Sequence, residues 1–288
     1  MNLLRLWKFL TRRFLTRRDE LGEGSQAVKA IGSYPMIGGS IPPLPSKTMR
    51  IPEFFNQKIS QVWVTGSTMY GLNTPDSDLD FTGVFHDRFE YVHPFVNRER
   101  TITSDGSDYT LHTALKFAKM LVKGNFNAID LMFHEPLVRE QFVDNLLTKA
   151  RPYVLTKNVA SAYMGYINSQ RDRLVGHKPQ SPERKELIKK LGYDPKYAMH
   201  LFRGMNSLYH LLETGEYLYL SGDLLVTLRN IKLGHYADHE VALLIDSFLP
   251  KLRDSYEKNK EVLPDGEKLR KVIVEHFTAN HLIEERST

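Results

Sequence analysis

One stretch of the chain, Val64 to Val84, restricts its fold more than any other: V-T-G-S-T-M-Y-G-L-N-T-P-D-S-D-L-D-F-T-G-V. The alternating, β-rich run Ser60–Thr65 predicts a strand, and Leu79–Phe85 predicts a second. The first strand ends in Gly66-Ser67, and Asn73, Thr74 and Pro75 mark a turn before the next one begins. The stretch therefore reads as strand, polar turn and strand.

The chemistry of that turn is specific. Glycine lets the backbone turn sharply and lets a phosphate approach the amides. Serine adds a hydroxyl donor. Asp78 and Asp80 are two residues apart, so on a strand they point to one face. Two bare carboxylates side by side repel each other, and one would normally take up a proton. A divalent cation removes that cost, and Mg²⁺ favours one or two carboxylates together with substrate phosphates. A phosphate-cradling turn opposite a carboxylate pair is the equipment of nucleotidyl transfer. For Ser67 the simpler role of helix N-cap is compatible with this reading, because a helix start is itself an anion site. Other chemistries lack support. The chain has no His-Glu-x-x-His and no Gly-x-Ser-x-Gly motif. Gly66 to Gly71 has the spacing of a P-loop but continues into Leu72-Asn73, without the required lysine.

Along the chain the character changes. Residues 97–110 predict a strand or hairpin, Leu111–Lys123 a helix stopped by Gly124, and Ala128–Phe133 another strand. From about residue 140 helices dominate: Glu140–Lys149, Val159–Val175, Lys196–Glu213, Asp238–Lys258 and Gly266–Glu285. Pro179, Pro182 and Pro195 punctuate this half, and Gly215 ends the third of these helices. Lys196, His200, Arg203 and Ser207 share one face of it. They predict a polar stripe lining a cleft, with a solvated outer face as the simpler alternative. Lys116 is a weaker candidate phosphate contact.

The chain of 288 residues carries a formal charge of +5 and a pI near 9.1. That basicity is local. Residues 1–50 hold nine Lys or Arg and three Asp or Glu, whereas the rest holds 30 and 31. The head is therefore +6 and the body −1, so a nucleic acid must be gripped by a local groove rather than a broad basic surface. With no cysteine, disulfides, thiolate metal sites and a cysteine nucleophile are excluded. No apolar run reaches the ~18 residues of a membrane span, so no stable membrane insertion and a cytoplasmic location are expected.

The quoted residues resemble a known signature. Gly66-Ser67 followed by Asp78-Leu79-Asp80 is similar to that of the DNA polymerase beta-like nucleotidyltransferase superfamily. The fuller string, with Tyr70-Gly71-Leu72 and Gly83-Val84, resembles its RNA-repair-associated branch, the RNA-ligase-associated polymerase family. Gly124-Asn125-Phe126-Asn127, Asp130-Leu131-Met132-Phe133, the run Gly192–Arg203 and Ile231-Lys232-Leu233-Gly234 resemble further blocks of that branch. The resemblance spans roughly residues 51–276. Phe126 stands where the family commonly has proline, a departure confined to a loop.

The resemblance implies an α+β fold. Composition and helical periodicity set the parts: a basic, flexible leader and linker over 1–50, outside the resemblance, then a first domain over 51–150, which the resemblance makes a nucleotidyltransferase domain with a mixed sheet and helices, and a mostly helical substrate or acceptor domain over 151–288. The resemblance also implies a nucleoside triphosphate as substrate, Mg²⁺ or Mn²⁺ as cofactor, and RNA or tRNA ends as acceptors. Asp78, Asp80 and a third carboxylate would hold the metal. Asp108 is the choice for the third, with Asp130 as its rival. Gly66, Ser67, Lys196, His200 and Arg203 would contact the nucleotide. Nucleotidylation of a protein or small molecule, or an inactive nucleotide-binding relative, stay open as alternatives.

Overall fold

A computed structural model describes residues 59–74, 77–85, 99–104, 107–176 and 181–286. The basic segment 1–50, Pro75 and residues 177–179 lie outside the described residues.

Four strands form one sheet: β1 (Ile59–Val64), β2 (Leu79–Phe85), β3 (Glu99–Ser104) and β4 (Ser107–Thr113). Their spatial order is β1-β2-β4-β3. β1 runs antiparallel to β2, β2 runs parallel to β4, and β3 and β4 form an antiparallel hairpin. A single helical turn, α1 (Gly66–Met69), follows β1. After β4 come α2 (Ala114–Val122), α3 (Phe126–Phe133) and α4 (Gln141–Ala150). The helical half then holds α5 (Lys157–Val175), α6 (Pro182–Leu191), α7 (Pro195–Thr214), α8 (Gly222–Lys232), α9 (Asp238–Asn259) and α10 (Glu267–Arg286). The architecture is α+β.

The sheet is buried unequally on its two faces. Trp63 sits opposite Thr82 across the antiparallel pair, so both share a face with Asp80 and Val84. Trp63 and Val84 belong to the main buried cluster, and the Trp63 indole stacks on Phe117 of α2 at 6.0 Å. Its Nε1 donates to the carbonyl of His134 at 3.1 Å. Val62, Val64, Phe81 and Tyr109 form a smaller cluster on the other face. The main cluster continues from Trp63 to Ile273, drawing buried residues from both sides of position 150. At its centre α7 buries Ala198, Leu201, Phe202, Met205 and Leu208, each large side chain contributing roughly 1.5–3 kcal/mol.

Two expected elements differ. Ala128–Phe133, read as a strand, belongs to α3. Asn125 accepts from the Ala128 amide at 3.1 Å and so starts a helix there. The run is buried on nearly every side, Asp130 included, and a short, mostly apolar run looks alike as buried strand or buried helix. The helix expected from Leu111 begins instead at Ala114, because β4 extends to Thr113, whose hydroxyl accepts from the Lys116 amide. α6 and α8 were not anticipated. Pro182 and Pro195 are helix starters: each occupies the first turn behind a capping Ser181 or Asp194. There the missing N–H leaves nothing unsatisfied.

Candidate active site

The end of β1 and the starts of β2 and β4 meet at one edge of the helix-facing side of the sheet. The parallel register pairs Asp80 with Asp108, and paired residues of neighbouring strands share a face. Asp78 lies just before β2 and is exposed, as is Asp108. Across the β3–β4 hairpin, Thr103 donates its hydroxyl to Asp108 Oδ1 at 2.6 Å. Sequence places Thr103 in a strand, but its contact with Asp108 depends on hairpin register.

Gly66 fits against this pair. Its φ is +62°, and a Cβ placed on it would lie 2.5 Å from Asp80 Oδ2. Any side chain there would push the turn and the carboxylate apart. The Thr65 amide donates to the Asp80 carbonyl at 2.8 Å, closing the corner. Ser67, the next residue, is partly exposed.

Electrostatics link the corner to the helical half. The Asp80 carboxyl is raised above its ordinary pKa by burial first, then by Asp108 and Asp78, and Lys196 opposes that rise. Lys196 is exposed in the first turn of α7. His200, one turn further on, has a buried Nδ1 with no hydrogen-bond partner. Its pKa is lowered to about 3, by burial first and then by Arg203, Lys196, Lys232 and Arg184. Lys232, at the end of α8, is lowered by burial and by Lys196. Its Nζ donates to the Leu72 carbonyl at 2.7 Å and reaches Ser77 Oγ at 3.5 Å. Lys196, Lys232 and a neutral His200 thus make a cation-rich wall. The sequence had marked the block around Lys232 without singling it out, since the fold alone brings α8 to this corner.

Two candidates lie elsewhere. Arg203, expected to contact the nucleotide, is 3% exposed and sits in the core. Its guanidinium is paired with Asp130 at 3.0 Å. Helix α7 turns that side of the expected stripe inward, and Ser207 is buried with it. Asp130, the rival third carboxylate, is fully buried on α3. It accepts from Tyr70, Arg203 and Tyr217, so its oxygens are already committed. The Tyr70 hydroxyl stays protonated, since burial pushes its pKa well up.

The donors available at the corner are hard carboxylate oxygens from Asp78, Asp80 and Asp108, whose mutual repulsion Asp80 registers. That donor chemistry fits a divalent cation such as Mg²⁺. Among the described residues no three such groups are drawn close enough to form a finished cage. No helix among them is long and apolar enough to cross a membrane.

The sequence profile of the RNA repair pathway DNA polymerase beta family matches residues 48–264. No curated protein matches the chain. Among solved structures, the nucleotidyltransferase-like protein from Exiguobacterium sibiricum 255-15 is similar at 12% identity, over 77% of this chain and 75% of that one, with a TM-score of 0.27.

Proposed function

The chain belongs to the RNA repair pathway DNA polymerase beta family, and from that premise we propose a metal-dependent nucleotidyltransferase that moves a nucleoside monophosphate from a triphosphate to an RNA-end hydroxyl. One observation carries the reading: Asp80 and Asp108 stand in register on one face while Gly66 closes directly against Asp80. This juxtaposes a phosphate turn with a carboxylate cluster, the two halves that nucleotidyl transfer requires.

Asp78, Asp80 and Asp108 are the residues that would hold Mg²⁺ or Mn²⁺. A cation bound there supplies charge neutralisation and a more acidic acceptor hydroxyl. The chain's own groups do the rest. The Ser67 hydroxyl and the turn amides bind the β- and γ-phosphates. Lys196 and Lys232 neutralise the triphosphate, and an anion between them relieves the mutual repulsion that Lys232 registers. His200 stays neutral at physiological pH and so adds no charge beside the two lysines. Asp108, oriented by Thr103, accepts the proton of the acceptor hydroxyl. That oxygen attacks the α-phosphorus, the bond to the bridging oxygen breaks, and pyrophosphate leaves.

The RNA acceptor is supported by the family description. The test is incubation with each labelled triphosphate and a panel of RNA, tRNA and protein acceptors. Label on RNA ends is the expected result. Label on protein would move the reading to protein nucleotidylation, and no label on any acceptor would refute transfer.

A further inference from the structure

Nucleotidyl transfer leaves a buried polar cluster beneath the phosphate turn without a role. Asp130 accepts from the Tyr70 hydroxyl, from Tyr217 Oη at 2.7 Å and from Arg203 Nη1 at 3.0 Å. The Arg203 guanidinium lies 3.8 Å from the centre of the Tyr70 ring and 4.4 Å from that of Phe126. His134 Nδ1 donates to the Asp130 backbone carbonyl at 2.9 Å. The participants come from α3, α7 and the loop before α8, and Tyr70 from the phosphate turn itself.

Such a cluster needs a reason other than stability. A buried ion pair is often no better than apolar side chains of the same volume, although breaking it from one side is costly. Three donors converge on one carboxylate here, which defines the geometry of the groups they come from, although Arg203 Nε has no hydrogen-bond partner among the described residues. The turn requires such fixing. α1 is four residues long, and its sole buried residue is Thr68. One helical turn does not hold itself, because nucleation is unfavourable. Its closing hydrogen bonds are Tyr70 N to Ser67 O at 3.3 Å, Gly71 N to Thr68 O at 3.1 Å and Leu72 N to Ser67 O at 2.9 Å. Tyr70 is therefore both the residue that ends α1 and the one whose side chain reaches the cluster. The next carbonyl is gripped as well: Arg229 of α8 donates to Gly71 O through Nε at 2.9 Å and Nη2 at 2.7 Å.

We propose that Asp130, Arg203 and Tyr217 form a clamp that acts through Tyr70 to set the conformation of the Gly66–Leu72 turn. They are positioning residues: the helical half holds the phosphate turn in its binding shape. The consequence for nucleotide affinity rests on the nucleotidyltransferase reading, whereas the effect on the turn does not.

Two variants of the full chain test it. Tyr70→Phe keeps the ring under Arg203 and removes the one hydroxyl. The double variant Asp130→Leu with Arg203→Met removes both charges together, so that no lone charge is left buried and the fold persists. Amide hydrogen exchange is read in peptides over Gly66–Leu72 and over α5 and α7, beside calorimetric binding of Mg·ATP. In either variant the turn should exchange about tenfold faster while α5 and α7 keep their protection, and the dissociation constant should rise about tenfold, the effect of one charge-assisted hydrogen bond. A turn that exchanges at the wild-type rate overturns the clamp, and so does a uniform loss of protection over all segments. Absence of Mg·ATP binding by the wild-type chain refutes the nucleotide reading, and the exchange comparison still decides the clamp.

Discussion

At Gly66 two constraints meet in one residue. The backbone adopts a left-handed φ of +62°, and the space a Cβ would need belongs to Asp80 Oδ2. Gly66→Ala is expected to lower stability by about 1–2 kcal/mol from backbone strain alone. It should also weaken nucleotide binding by displacing the carboxylate. Thermal melts and nucleotide titration of the same variant check both effects. His200 gives a second prediction. Its folded pKa is about 3, against roughly 6.5 for a free histidine. Below the free value the unfolded chain binds a proton that the folded chain does not. The stability that its neutral state contributes is therefore present above pH 6.5 and is lost as pH falls towards 3. Between pH 7 and pH 5 the loss amounts to about 2 kcal/mol. Urea unfolding of wild type and His200→Gln at these two pH values should show a flatter dependence in the variant. At this scale the sequence revealed the Gly-Ser turn and the aspartates, because their spacing is local. It did not reveal Thr103, Lys232 or the destination of Arg203. Those depend on hairpin register and on which way α7 faces.

Among the elements, β2 and the long helices were legible because period-2 and period-3.6 patterns extend over several residues. Strand Leu79–Phe85 appears as expected, and so does the stop at Gly215. α3 was not legible as a helix, since Phe126, Ala128, Ile129, Asp130, Leu131 and Met132 are all buried, so apolar and polar positions do not alternate with the helical period. Its start depends on Asn125. Asn125→Ala should cost about 1 kcal/mol in chemical unfolding while Asn125→Asp retains the cap. An equal cost for both variants would show that the side-chain bond to Ala128 contributes nothing. α6 and α8 were obscured by Pro182 and Gly222, residues that usually break helices but here begin them.

For the whole molecule, the charge division matters most. The +6 of residues 1–50 lies almost wholly ahead of the matched segment 48–264. A chain lacking residues 1–47 should therefore bind Mg·NTP as the full chain does. If the head tethers RNA, RNA affinity alone falls, and its salt dependence weakens with the lost cations. Binding isotherms at two salt concentrations read this. The body is near neutral, and Lys196 and Lys232 are the cations that the electrostatics tie to this corner, so recognition of an anion is expected to be local to it. One buried cluster joins the sheet to the helical half, which lets α7 and α8 carry those lysines to the strand ends.

The most direct test follows both ends of the triphosphate. Wild type and the Asp78→Ala, Asp80→Ala double variant are incubated with Mg²⁺, an RNA bearing free hydroxyl ends, and ATP labelled at either the α- or the γ-phosphate. The other three triphosphates are run in parallel. The account predicts that at least one triphosphate passes its α-label to the RNA and its γ-label to pyrophosphate, with both signals lost in the variant. Transfer that persists in the variant, or γ-label appearing on the acceptor, would contradict it.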